Sequence, residues 1–352
     1  MTELTPQKNK QIRLLLVDDS PVALLLLRRA FTQDPQILVV GTARDGAEAL
    51  RMVHELKPDV VSTDLHMPVM NGLELTRRIM AECPCPVLVC STAVQSENAT
   101  TVFDLLQAGA LDVFPKPRTG LEDSNLSELI RKVKILSGVK VFRTRGVVPS
   151  DPAAGAGGES KTRTPQAVVI GASTGGPGAL QTLFQALPAS FPLPILCVQH
   201  IAGEFAKGLV SWLAEQSNLP IHFARAGEPF HRGTITFPAP GCNLSVGSSG
   251  LSIMTPLDAD SLGASVDTTM ISAAKYWGAG TVGVLLTGMG SDGAKGMLAI
   301  SQARGITIAQ NAETSVIFGM PERAIALGAV QSVLPLKEIA PALIRLAAVS
   351  YG

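Results

Sequence analysis

A chain of 352 residues is long enough for two domains, each burying its own core. Its 29 basic and 29 acidic side chains balance, which leaves no positive excess for nucleic acid or an anionic membrane. Cys83, Cys85, Cys90, Cys197 and Cys242 form no C-x-x-C pair, so neither a disulfide framework nor a zinc site is expected. No apolar run reaches the roughly 18 residues of a membrane span, and the start lacks a basic segment leading into an apolar one. The expectation is a cytoplasmic protein, not membrane-inserted, whose partners are proteins or small molecules.

Along the first 137 residues, short apolar runs alternate with helix-like segments: "IRLLLVDD", "ILVVGTA", "DVVSTDL", "PVLVCST" and "LDVFPKP". That alternation predicts a parallel sheet with helices on both faces. From Ser137 to Pro165 the pattern fades, and "PSDPAAGAGGESKTRTP" has the Pro, Gly, Ala and Ser content of a linker. Lys140, Arg143, Arg145, Lys161 and Arg163 face only Asp151 and Glu159 there. Two readings follow, a solvated spacer or a segment lying on an acidic surface. The second half returns to the alternating style with "AVVIGAS", "PILCVQH" and "TVGVLLTG", without a sequence repeat between the halves. The expected architecture is α/β in two domains, residues 1–137 and 166–352, each a parallel sheet with helices on both faces, joined by a linker over 138–165.

Asp18 and Asp19 follow the first predicted strand, Asp64 the third and Lys116 the fifth. Strand C-termini of an open parallel sheet gather at one edge, where ligands bind. Carboxylates crowded there repel one another unless a cation sits among them, and a hard divalent ion such as Mg²⁺ suits oxygen ligands and draws in a phosphoryl group. The stretches "LLLVDDS", "DVVSTDLHMPVMNGLEL", "PVLVCST" and "AGALDVFPKP" resemble a response-regulator receiver domain. The resemblance implies Asp64 as phosphoacceptor, Mg²⁺ held by Asp18, Asp19 and Asp64, and phosphoryl contacts from Lys116 and the Ser91 hydroxyl, with Thr92 as the alternative hydroxyl. The chemistry agrees, since a carboxylate attacking phosphorus needs a metal and a fixed ammonium to offset charge on the equatorial oxygens.

Residues 167–180, "AVVIGASTGGPGAL", run from an apolar strand into a glycine-rich helix start. Taken alone, Gly171-Ala172-Ser173-Thr174-Gly175 admits a G-x-S-x-G nucleophile, a phosphate cradle or a tight structural turn. A dinucleotide site wants G-x-G-x-x-G and an acid ending the second strand. Here Ser173 occupies the middle glycine position, and "PILCV" ends in Gln199-His200. The usual hydrolase order of serine, acid, histidine also fits badly, because no histidine follows His231. Another order works: Ser173, His200 and Asp292 each follow a different predicted strand and would share one sheet edge. His222 and His231 are weaker bases by position, Asp258 and Asp260 sit in a surface turn, and Asp267 reads as a helix N-cap.

"IGASTGGPGAL", "VQHI", "SVDTTMISAA" and "LLTGMGSDGAKGM" resemble the catalytic domain of the CheB-type chemotaxis methylesterases. The resemblance implies a Ser173–His200–Asp292 triad acting on glutamate γ-methyl esters of a methyl-accepting chemoreceptor. It also implies glutamine deamidation, a CheA-type histidine kinase as partner, and Thr174 and Met289 beside the triad, with no cofactor for the esterase. Backbone N–H groups at Gly175-Gly176 and Gly288-Met289 are expected to hold the oxyanion, the glycines giving the substrate room. A receiver on a flexible linker can serve as a removable cover for such a site. Gly263-Ala264 stands where the family usually has Arg-Pro, and Asn243 where a histidine is usual; both are expected to shift substrate choice. A receiver-controlled scaffold with a weak or inactive hydrolase domain is the alternative.

Overall fold

A computed structural model of the chain describes residues 11–91, 99–116, 124–139, 141, 164–258 and 263–348. Thr92, Asp260 and most of the expected linker lie outside them. The chain divides into two compact units, each with its own parallel sheet.

The first half of the chain carries β1 (Ile12–Val17), α1 (Pro21–Thr32), β2 (Ile37–Ala43), α2 (Gly46–Leu56), β3 (Val60–Thr63), α3 (Gly72–Glu82), β4 (Val87–Ser91), α4 (Ala99–Gln107), β5 (Asp112–Pro115) and α5 (Ser124–Leu136). Leu14, Leu15 and Leu16 are all fully buried, as a central strand covered on both faces requires. Ser20 starts α1 by accepting the Ala23 N–H, with Pro21 in the first turn, and Asp45 starts α2 by accepting from Ala47 and Glu48. The sheet order is β2-β1-β3-β4-β5. The winding direction therefore reverses between β1 and β3, the two strands that end at Asp18-Asp19 and Asp64.

The second unit carries β6 (Ala167–Ala172), α6 (Gly176–Ala186), β7 (Ile195–Gln199), α7 (Gly203–Gln216), β8 (Ile221–Phe223), β9 (Ile235–Phe237), β10 (Cys242–Val246), β11 (Ser252–Pro256) and α8 (Val266–Trp277). It continues with β12 (Thr281–Leu285), α9 (Ala294–Gln302), β13 (Ile306–Gln310), α10 (Met320–Ala326), β14 (Ser332–Leu334) and α11 (Leu336–Ala348). Seven strands lie in the order β14-β13-β12-β6-β7-β9-β8, and β10 and β11 form a separate antiparallel pair. The chain winds outward from β6 through β7, then returns to place β12 on the other side of β6. The switch point of this sheet is thus at β6, directly before Ser173. No helix among the described residues is long and apolar enough to cross a membrane.

Helix α8 lies close against the central strands. A Cβ on Gly171 in β6 would stand 2.3 Å from Val266 Cγ1 and 3.1 Å from Leu285 Cδ1. Val169, Val198, Val266, Met270, Leu285 and Met297 fill the core around that approach. Val266 is β-branched and fully buried, so it has no rotamer with which to yield. Gly171→Ala should therefore lower the stability of the second unit by about 1–3 kcal/mol through overpacking, read as a reduced urea midpoint with an unchanged slope.

Candidate active site

In the first unit, the β4–β5 register brings Ser91 beside Pro115, and the next N–H, that of Lys116, donates to Ser91 O at 3.0 Å. This directs the Lys116 ammonium across the sheet edge, where it meets Asp18 Oδ2 at 2.7 Å and Asp64 Oδ2 at 2.6 Å. Asp18 and Asp64 are buried and Asp19 is exposed; one carboxylate oxygen of each lies within 4.8 Å of the others. Burial pushes the Asp18 carboxyl up, against the pull of Lys116. Burial alone would lower Lys116, but its two carboxylate partners outweigh it and hold the ammonium charged. Ser91 is buried at the end of β4. The expected receiver residues are thus gathered at one edge, and their spacing fits a divalent cation with oxygen ligands.

In the second unit, Ala172 and Gln199 are register partners on adjacent strands, and the His200 N–H donates to Ala172 O at 2.9 Å. Ser173 and His200 are the next residues along those two strands. The Ser173 N–H donates to Thr287 O at 3.0 Å, which ties the turn to the third strand, β12. Gly175 then takes a left-handed conformation, φ 77°, at the N-cap of α6.

Asp292 completes the group through an unusually dense set of donors. Its Oδ2 accepts from His200 Nε2 at 2.7 Å and from the Val266 N–H at 2.8 Å. Its Oδ1 accepts from the Asp267 N–H at 2.9 Å, the Gly293 N–H at 3.0 Å and the Ser265 hydroxyl at 3.2 Å. The carboxylate therefore sits on the N-terminus of α8. Burial works to raise its pKa, but the His200 hydrogen bond and charge and the α8 N–H groups prevail and hold it at about 2. A carboxylate in that state only accepts, so the imidazole proton belongs on Nε2 and Nδ1 is left as the basic nitrogen. Among the described residues, no hydrogen bond closes between the Ser173 hydroxyl and His200. That contact commonly tightens only when substrate is bound.

Several expectations change at this level of detail. The cap of α8 is Ser265, which accepts the Thr268 N–H, whereas Asp267 lies in the first turn and accepts the Gly296 N–H of α9 at 2.7 Å. Asn243 accepts the Ser265 N–H at 2.7 Å, so it braces the α8 start. Gly263 packs on the backbone of His200 and Ile201, since a Cβ there would stand 3.2 Å from Ile201 N and 3.3 Å from His200 Cα. Of the expected oxyanion donors, the Gly176 N–H is committed to Ser173 O at 2.7 Å and the Gly288 N–H to Ile317 O at 3.0 Å. The N–H groups of Gly175 and Met289 remain as candidates. The two glycines do not make room for substrate either: a Cβ on Gly175 would strike Val316 at 2.6 Å, and one on Gly176 would strike Gln199 Oε1 at 1.9 Å. Sequence reasoning passed over Gln199, Ser265 and Thr287. Of these, Ser265 alone carried a local signal, a serine directly before an apolar helix.

The fold and these two sites define a receiver unit joined to a serine-hydrolase-like unit. The family model described as "Response regulator receiver domain" matches residues 14–130, and that described as "CheB methylesterase" matches residues 168–343. A protein-glutamate methylesterase/protein-glutamine glutaminase of Syntrophus aciditrophicus is 41% identical over 344 residues, covering 96% of this chain and 98% of that protein. One from Anaeromyxobacter dehalogenans is 42% identical over 337 residues, covering 95% and 97%. The crystal structure of the Thermotoga maritima CheB methylesterase catalytic domain is similar with a TM-score of 0.50 and 36% identity, covering 52% of this chain and 98% of that one. The chain belongs to the CheB methylesterase family.

The depressed Asp292 pKa has a measurable consequence. A carboxyl held at about 2 instead of its ordinary 3.8 contributes stability that is fully present above about pH 4 and is lost as pH falls through 2. Asp292→Asn should therefore cost the catalytic unit roughly 2 kcal/mol at neutral pH. Denaturation curves of parent and variant should converge between about pH 4 and pH 2.

Proposed function

We propose that this chain is a phosphorylation-controlled serine hydrolase that removes methyl groups from glutamate γ-methyl esters of chemoreceptors and deamidates receptor glutamines. The observation that carries the reading is the His200–Asp292 pair at 2.7 Å, set at the switch point where Ser173 and His200 follow adjacent strands. Relatives of nearly the same length and about 40% identity bear the matching activity in their names. Ser173 attacks the ester carbonyl carbon while Nδ1 of His200 takes its proton. Asp292 holds the Nε2 proton and offsets the imidazolium charge, and the N–H groups of Gly175 and Met289 stabilise the tetrahedral oxyanion. Collapse breaks the C–O bond, with Nδ1 returning the proton to departing methanol. Water then attacks the acyl-enzyme through the same base, giving free glutamate. A glutamine substrate follows the same steps with ammonia leaving.

Control lies in the first unit. Asp64 accepts the phosphoryl group from a CheA-type histidine kinase, and Lys116 and Ser91 contact its oxygens. Asp18, Asp19 and Asp64 would hold Mg²⁺, which when bound offsets charge on the transferring phosphoryl group. The domain limits 1–137 and 166–352, with the linker between, belong to the same reading.

Methanol release from methylated receptor membranes tests it. Ser173→Ala should lower the rate by about four orders of magnitude or more and leave receiver phosphorylation intact. Asp64→Asn should keep the basal rate and lose the increase produced by a phosphodonor. A Ser173→Ala protein as fast as the parent would end the nucleophile assignment, and an Asp64→Asn protein that still responded would end the assignment of the phosphoacceptor.

A further inference from the structure

Gln199 is the last residue of β7 and is buried, 6% exposed, beneath the serine turn. Its Nε2 donates to Ser173 O at 2.8 Å and to His200 O at 2.9 Å. A side-chain NH₂ has two hydrogens, and here both go to the carbonyls of the nucleophile and the base. The strand ladder ends one step earlier, with the His200 N–H on Ala172 O. Past that point the Gln199 amide crosses between the two chains that carry Ser173 and His200.

The other end of the same amide behaves differently. Among the described residues, Gln199 Oε1 is buried with no hydrogen-bond donor. An unsatisfied buried carbonyl is a burden on folding and calls for an explanation. An apolar side chain of the same length would remove that burden but also both donors, to Ser173 O and His200 O, so the two effects on stability oppose one another. The surroundings also fix the amide in place. Gly176 approaches so closely that a Cβ on it would stand 1.9 Å from Oε1 and 2.8 Å from Cδ. The Ser173 carbonyl receives a second donor from the Gly176 N–H at 2.7 Å.

We propose that Gln199 is a positioning residue for the esterase reaction: its amide spans the Ser173 and His200 carbonyls and sets the separation of nucleophile and base. This rests on the methylesterase reading above. The Gln199 amide reaches the backbone carbonyls of Ser173 and His200, not their side chains. It acts on the two residues that do, and a displacement of either by about 1 Å is enough to cost on the order of 100-fold in rate.

The experiment uses full-length parent, Gln199→Met and Gly176→Ala. Three quantities are measured: kcat and KM for methanol release from methylated receptor membranes, the rate of inactivation by a fluorophosphonate, and the thermal midpoint. Methionine keeps the length of the side chain, removes both donors and removes the orphan oxygen. Gln199→Met should lower kcat roughly 10- to 100-fold with KM within about twofold, slow fluorophosphonate labelling by a similar factor, and leave the protein folded at the assay temperature. Gly176→Ala keeps the amide but forces it aside, and should lower kcat and labelling in the same way. A Gln199→Met protein with parental kcat, or one whose loss of rate is matched by its unfolded fraction at the assay temperature, would overturn the proposal. So would a folded Gly176→Ala protein with parental kcat. A parent that is labelled by the fluorophosphonate but releases no methanol would instead refute the methylesterase reading, while labelling of the variants would still decide the role of Gln199.

Discussion

Asp292 is the point at which the separate parts of the catalytic unit meet. Its carboxylate takes donors from the loop after β7, from the first turn of α8 and from the start of α9. Negative charge at a helix N-terminus is favourable, because the first N–H groups lack partners within the helix. The interaction therefore orders α8, and α8 in turn lies against Gly171 of β6, one strand residue before the serine turn. Reciprocity tightens the arrangement: Asp292, beside the start of α9, accepts from α8, while Asp267 in α8 accepts the Gly296 N–H of α9. The two helices meet where a Cβ on Gly296 would strike Met270 at 2.4 Å, so neither can slide without breaking the other's capping bond.

The β10–β11 hairpin joins this arrangement from outside the main sheet. Asn243 holds the Ser265 N–H, the Thr269 hydroxyl donates to Leu244 O at 2.7 Å, and the Val246 N–H donates to Ser272 Oγ at 3.0 Å. A substitution at 243 therefore acts first on the start of α8 and through it on Asp292. This is a different origin from a direct contact with substrate.

What could be read from the sequence follows from where burial is symmetrical. Strands β1, β3, β4, β6, β7 and β12 are covered on both faces, so they appear as continuous apolar runs; Asp18, Asp64, Ser173 and His200 stand directly after β1, β3, β6 and β7, and Asp292 closes the loop that follows β12. That was enough to single out Ser173, His200, Asp292, Asp64 and Lys116 as candidates near strand ends. Strands β8, β9 and β14 have three residues each, too few to show alternation, and the β10–β11 pair lies off the main sheet. The commitments of individual N–H groups stayed hidden for another reason. Whether Gly176 or Gly288 is free to hold an oxyanion depends on Ser173 O and Ile317 O, which are tertiary contacts. The glycines of the serine turn illustrate the same limit, since Val316 and Gln199 fill the space beside them and those contacts have no local signature.

Both units put acidic residues at a topological switch point, and local donors decide what the acids do there. In the first unit, Asp18 is buried with its pKa pushed up and with Lys116 as its charged neighbour, a state that a divalent cation and a phosphoryl group would rebalance. In the second unit, His200 and the α8 N–H groups keep Asp292 at about 2, while its neighbour Asp267 is pushed up by burial and by the charge of Asp292. Two carboxyls at adjoining helix starts are thus driven apart in acidity. The one with the firm negative charge is the one that holds the imidazole. An acid held at about 2 is ionised throughout the neutral range, so it does not compete with His200 for the serine proton. In the proposed reaction it fixes the tautomer and offsets the imidazolium, which leaves the proton transfer itself to Nδ1.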